Sequence, residues 1–199
     1  MTSLVLASTS ASRQAMLTAA GVPFEALAPM VDEAELKRAL LSEGADARRV
    51  ADALAEAKAV KISRKIPSAL VLGSDSVVAL DDGTMIDKAP DRETLAAQLR
   101  SLRGRTHRLV SAAVVAENGI AVWRFVGVAK LTMRDFSNAF LDAYLDTCGD
   151  VLLGSVGGYH IEGQGAQLFA RVDGDQFTIR GLPLLAVLDY LRTRSVMPI

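Results

Sequence analysis

The chain has 199 residues, half of them hydrophobic, which is enough for one full-sized core or at most two small lobes. Its 22 Lys and Arg face 23 Asp and Glu, and a formal charge of -1 excludes a global field that would draw it to nucleic acid or to an anionic membrane, so any anion site must be local. The apolar runs are too short to span a membrane, the start Met1-Thr2-Ser3 lacks the layout of a signal peptide, and the single Cys148 cannot close an internal disulfide, so the chain reads as a soluble cytoplasmic protein. Taken in order, Leu4 to Ala7 reads as a buried strand, Ser8 to Ser12 as a hydroxyl-rich loop, and Arg13 to Ala20 as a helix closed by Gly21. An extended piece over Val22 to Leu27 leads to Asp32-Glu33, followed by helices near Glu35 to Ser42 and Ala47 to Ser63. Leu70 to Leu80 is an apolar strand, Asp81-Asp82-Gly83 a turn, and Met85-Ile86 a short returning strand. A helix over Arg92 to Leu102 stops at Gly104. Strands then follow at His107 to Ala116, Ile120 to Val126 and Val128 to Arg134. Ser137-Asn138 opens a helix to about Thr147, Gly-rich loops run to Gly165, a hairpin surrounds Asp173-Gly174-Asp175, and a helix over Pro183 to Thr193 ends the pattern. With no repeat or domain-separating linker, the order predicts a single unit over residues 1–199 of mixed α/β class, largely antiparallel in its second half.

Asp75 stands out because it is a lone carboxylate inside the apolar run Leu70 to Leu80. A buried charge is costly unless it is paired, hydrogen-bonded or metal-bound. The plain alternative is an Asp that accepts from backbone N–H groups at a bend made by Gly73 and Ser74. The Ser8 to Ser12 loop, leading into a helix N-terminus with Arg13 behind it, offers free N–H groups, hydroxyls, a dipole and a bidentate fork for a phosphate, although ordinary N-capping by Ser10 or Ser12 explains the hydroxyls equally well. Lys58 and Lys88 are further phosphate candidates, each of a residue type that is usually a solvated surface group. Glu33 and Glu162 are acidic groups that can hold a hard cation with Asp75 or read a base edge, or lie free at the surface. Gly163-Gln164-Gly165-Ala166-Gln167 lacks the third glycine of a dinucleotide fingerprint and is read as flanked by strands, and His107 and His160 are not spaced as a zinc pair.

In family order, Leu6-Ala7-Ser8-Thr9-Ser10-Ala11-Ser12-Arg13, Asp32-Glu33, Leu54-Ala55-Glu56-Ala57-Lys58-Ala59, Gly73-Ser74-Asp75-Ser76-Val77-Val78, Asp87-Lys88, Tyr159-His160-Ile161-Glu162-Gly163 and Gly181-Leu182-Pro183-Leu184 together resemble the Maf proteins, a family of nucleoside triphosphate pyrophosphatases. The resemblance covers nearly the whole chain. It implies a twisted mixed β-sheet flanked by helices with a cleft between two lobes, roofed by the Arg13 loop and the Glu162 loop. It further implies a homodimer and cleavage of the α–β phosphate bond of a nucleoside triphosphate to a monophosphate and pyrophosphate, with Mg²⁺ or Mn²⁺. On the same basis Asp75 matches the group that activates water, Ser10, Arg13, Lys58 and Lys88 match groups around the phosphates, and Glu33 with Asp75 matches the metal position.

Specificity is implied at Ser12, Ser76 and Glu162. The branch acting on dTTP and UTP usually carries Arg and Gln where this chain has Ser12 and Glu162, while Glu162 is what the 7-methyl-GTP branch carries. A carboxylate accepts from the N1–H and N2 amine of guanine, which favours a purine. Ser12 and Ser76 match neither branch, the usual prolines are Ala11 and Ala89, and Cys148 to Ser155 departs from the family's charged stretch. Two other functions fit parts of the pattern. A non-catalytic nucleotide-binding regulator of cell division needs Arg13 and the lysines but not Asp75, and a plain interaction protein needs the hydroxyl loop only as a helix cap.

Overall fold

The computed structural model describes residues 3–198, and its elements follow local signals. In chain order they are β1 (Leu4–Leu6), α1 (Ala11–Ala19), β2 (Glu25–Ala26), α2 (Glu33–Ser42), α3 (Ala47–Ser63), β3 (Leu70–Leu80), β4 (Met85–Ile86), α4 (Arg92–Leu102), β5 (Thr106–Glu117), β6 (Ile120–Met133), α5 (Asn138–Cys148), β7 (Phe169–Asp173), α6 (Gln176–Ile179) and α7 (Leu184–Thr193). Polar caps place most helix starts: the side chains of Ser10, Asp32, Asp46, Asp91 and Ser137 each accept the backbone N–H three residues on, satisfying a donor the helix cannot.

The strands form a seven-stranded mixed sheet in the order β2-β1-β3-β5-β6-β7, with β4 pairing β3. β1 lies parallel to β2 and β3, and along β3, β5, β6 and β7 each strand runs antiparallel to its neighbour. This confirms the mixed α/β class with an antiparallel second half.

Three local expectations are corrected. The strands expected at Ile120 to Val126 and Val128 to Arg134 are one strand, β6, because Gly127 stays in register opposite Ser111. Asp173-Gly174-Asp175 is no hairpin: Asp175 accepts from Thr178 N–H and Oγ1–H and so starts the short helix α6. The Gly-rich stretch contains 3₁₀ turns over Gly149–Gly154 and Gln164–Leu168, so Gln164 and Gly165 lie in a turn before β7 rather than between strands.

β3 organises the core. Its residues alternate between faces, as a strand requires. On one face Leu70 and Leu72 pack with β1, α1 and α7, whereas Val78 and Leu80 pack with α4 and α5. Between them on the same face lie Ser74 and Ser76. The two-lobed expectation thus takes the form of two hydrophobic clusters separated by a polar interval on one strand. On the opposite face Val77 packs against α3, and Gly73 is required there because a Cβ would stand 2.2 Å from the carbonyl oxygen of Ala55. The helix can approach β3 this closely only over a residue with no side chain.

Candidate active site

One edge of β3 is paired with β5 throughout, but the other edge is shared. β1 pairs with Leu70 to Leu72 and β4 pairs with Val78 and Ala79, so Gly73 to Val77 have no strand partner on that side. Asp75 sits at the middle of this opening. The chain leaves β1 there through Ser8 to Ser10 and enters α1, which brings a helix N-terminus to the gap. A site at the carboxyl end of a parallel strand where its neighbour diverges is the usual location for a ligand in an open α/β sheet.

Asp75 is almost fully buried, 8% exposed, and is paired rather than orphaned. Lys58, on the α3 face above the Gly73 approach, donates from Nζ to its Oδ1 at 2.6 Å. The same ammonium lies 2.9 Å from Oε2 of Glu33, at the start of α2. Two carboxylates from different elements therefore converge on one cation. Of the two readings of Asp75, a charge partner and not a bend of backbone N–H groups satisfies it, and the Lys58 side chain is as buried as its partner.

On the other face of β3 the polar interval is a hydrogen-bonded network. Arg13 donates from Nε to the carbonyl of Gly181 at 2.8 Å and reaches Ser76 Oγ at 3.2 Å and Ser8 Oγ at 3.4 Å. These use three of the five guanidinium N–H groups and leave two. Burial pushes Arg13 down from its ordinary value, while the carboxylates of Asp75 and Glu33 pull it back up, so the fork senses both acids. Ser74 Oγ also engages the Gly181 carbonyl at 2.9 Å, and Ser76 Oγ bonds Ser111 Oγ at 2.8 Å. Gly181 holds this position at φ +99°, and a Cβ there would approach Ser76 Oγ to 3.2 Å and the Arg13 Nε to 3.5 Å.

Over residues 3–194 the chain matches the model of the Maf-like protein family. The chain belongs to this family. It is 49% identical over 195 residues to a protein of Sphingopyxis alaskensis named nucleoside triphosphate pyrophosphatase, with 98% of each chain covered. A protein of Caulobacter vibrioides with the same name is 49% identical over 199 residues, covering 100% of this chain and 99% of the relative. A protein of Jannaschia named nucleoside triphosphate pyrophosphatase 1 is 48% identical over 197 residues, covering 99% of both.

Set against the positions carried over from family order, this Maf-like chain brings Arg13, Glu33, Lys58, Asp75 and Ser76 into one connected neighbourhood. Ser10 caps α1, its Oγ accepting from Arg13 N–H, so the capping alternative holds for that hydroxyl while its loop still borders the site. Lys88 is exposed after β4, with Asp87 beside it paired to Lys37, and it touches neither Asp75 nor Arg13. Ser12 donates to the carbonyl of Arg180 at 3.1 Å, and Glu162 lies 3.4 Å from Arg180 Nε, so the two positions tied to specificity meet at one residue. Ser74, Ser111, Arg180 and the Gly181 carbonyl were not singled out as site groups in the sequence. Their signal was faint: a pair of serines in an apolar strand, and a glycine before Leu-Pro.

His107 is a packed histidine, fully buried, with Nε2 bonded to Tyr159 Oη at 2.8 Å and Nδ1 without a partner among the described residues. Burial pushes it down to about 4. Among the described residues no group of three His, Cys, Asp or Glu side chains is placed to hold a metal, and no helix is long and apolar enough to cross a membrane.

Proposed function

We propose that this chain hydrolyses the α–β phosphate bond of nucleoside triphosphates, releasing a monophosphate and pyrophosphate, with Asp75 as the base that deprotonates the attacking water. The observation that carries the reading is the Asp75–Lys58–Glu33 cluster at the unpaired stretch of β3, next to the Arg13 fork. The names of relatives similar over the whole chain support the same activity.

Lys58 holds the Asp75 carboxylate in one orientation and, through Glu33, ties α2 to the site. Arg13, pinned by Gly181, Ser76 and Ser8, offers its two remaining N–H groups to phosphate oxygens, and the α1 N-terminus adds its dipole. Asp75 takes a proton from water in a sheltered site, where a preoriented carboxylate is most effective. Asp75 and Glu33 supply hard oxygen donors that already converge on a cation, the chemistry suited to Mg²⁺ or Mn²⁺ held with the help of substrate phosphates. Such an ion, when bound, offsets the charge of the triphosphate and of the departing pyrophosphate. Lys88, exposed after β4, serves the outer phosphates. Glu162 favours a guanine base, and the active unit is a homodimer working in the cytoplasm. A pyrophosphate-release screen over canonical and methylated triphosphates, with and without added divalent ion, tests this function. Release from no nucleotide, together with retained nucleotide binding, favours the non-catalytic regulator instead.

A further inference from the structure

Arg180, between α6 and Gly181, joins the two loops that carry Ser12 and Glu162. Its carbonyl accepts from Ser12 Oγ at the first turn of α1, and the next carbonyl, of Gly181, accepts from Arg13 and Ser74. Two successive carbonyls are therefore clamped by the phosphate side of the site, which fixes where the Arg180 side chain starts. That side chain then runs to Glu162, with Nε 3.4 Å from Oε1. Nε is buried against that carboxylate, but the Arg180 side chain is 21% exposed and no guanidinium N–H of it has a hydrogen-bond partner among the described residues, while the Glu162 side chain is 40% exposed. The unspent terminal N–H groups of the guanidinium and an accessible carboxylate thus stand side by side, one residue from the anchor of Arg13.

We infer that Arg180 is a specificity-determining residue, which with Glu162 presents a donor–acceptor–acceptor edge selecting guanine nucleotides. The inference rests on the pyrophosphatase reading for its substrate class and adds a residue to it. The Watson–Crick edge of guanine reads O6 acceptor, N1–H donor, N2 amine donor. A guanidinium N–H meets O6 and the two oxygens of a carboxylate meet N1–H and N2–H, as cytosine does with one amine and two acceptors. Adenine offers a donor where the guanidinium stands and an acceptor against the carboxylate. Uracil offers an acceptor, a donor and an acceptor, leaving one carboxylate oxygen opposed by a carbonyl. Hypoxanthine keeps O6 and N1–H but loses the amine. Methylation at N7 keeps these acceptor and donor groups in place and adds a positive charge to the ring.

The test is steady-state pyrophosphate release and calorimetric nucleotide binding for the full chain and for Arg180→Met, Arg180→Lys and Glu162→Gln, using GTP, 7-methyl-GTP, ITP, ATP and UTP. The parent protein is expected to prefer GTP and 7-methyl-GTP over ITP by about tenfold and over ATP by more, the range for losing one or more bonds to a charged group. Arg180→Met is expected to raise KM for GTP about tenfold while kcat falls less than threefold, and to shrink the GTP-to-ATP ratio, with Arg180→Lys recovering part of both. Equal loss of kcat on every nucleotide, or an unchanged GTP preference in Arg180→Met, overturns the inference, as does a parent protein that prefers ATP or UTP. If no nucleotide is hydrolysed, the pyrophosphatase reading fails by itself, and the calorimetric preference for GTP over ATP, present or absent, still decides the role of Arg180.

Discussion

Lys58 Nζ stands 2.6 Å from the carboxylate of Asp75 and 2.9 Å from that of Glu33, so the one charged residue inside β3 is held by a lysine from the helix packed on it. This contact ties the fold to the proposed chemistry, because the same pair neutralises a buried charge and orients the group proposed to activate water.

Asp75→Asn keeps the shape and a hydrogen-bonding oxygen but cannot accept a proton. Pyrophosphate release is expected to fall by a factor of about 100 or more, the share commonly carried by a general base, while nucleotide affinity measured by calorimetry changes little. An activity equal to that of the parent protein would remove Asp75 from its role.

Lys58→Met leaves a buried Asp75 without its cation. Breaking a buried ion pair from one side costs about 3 kcal/mol, and for a chain of this length that corresponds to a loss of roughly 6–12 °C in Tm. Adding Asp75→Asn to the same chain removes the stranded charge, so the double variant is expected to melt above the Lys58→Met single variant. Thermal unfolding of the pair decides this.

Gly73→Ala places a Cβ 2.2 Å from the Ala55 carbonyl oxygen and 2.7 Å from the Ala59 backbone nitrogen. Neither neighbour is a flexible side-chain end, so α3 must move and carry Lys58 with it. The expected result is a destabilisation of about 2 kcal/mol or more together with a fall in kcat, read from denaturant titration and pyrophosphate release. An alanine variant with parental stability would show that the close helix–strand approach does not govern the site.

His107 contributes to acid sensitivity. Its folded value of about 4 lies below the ordinary 6.5, so the unfolded chain binds the extra proton between those values and stability falls as pH drops from 6.5 toward 4. Between pH 7 and pH 5 this histidine is expected to cost about 2 kcal/mol, present in the parent protein and absent in His107→Gln. Urea titrations of both proteins at the two pH values isolate it from the carboxylates that titrate in either chain. Parallel losses in the two proteins would exclude His107 as the sensitive group.

Much of this molecule was legible along the chain because its signals are local. Apolar runs, Ser and Asp caps and Gly-bearing turns marked β1, α3, β3, α4 and α7 within a few residues, and the oddity of one carboxylate in an apolar strand pointed to Asp75 before any contact was known. Where two local signals competed, the tertiary structure chose: Gly127 broke the pattern of β6 without breaking the strand, and Asp175 capped a helix where Asp-Gly-Asp suggested a hairpin. The partners in the site were settled only by folding, since Lys58 is 17 residues from Asp75, Arg13 is 63 from Ser76 and 168 from Gly181. Spacing in sequence carries no information about such pairs. They exist because β1 ends early, β4 begins late, and a side-chain-free Gly73 lets a helix close over the strand between them.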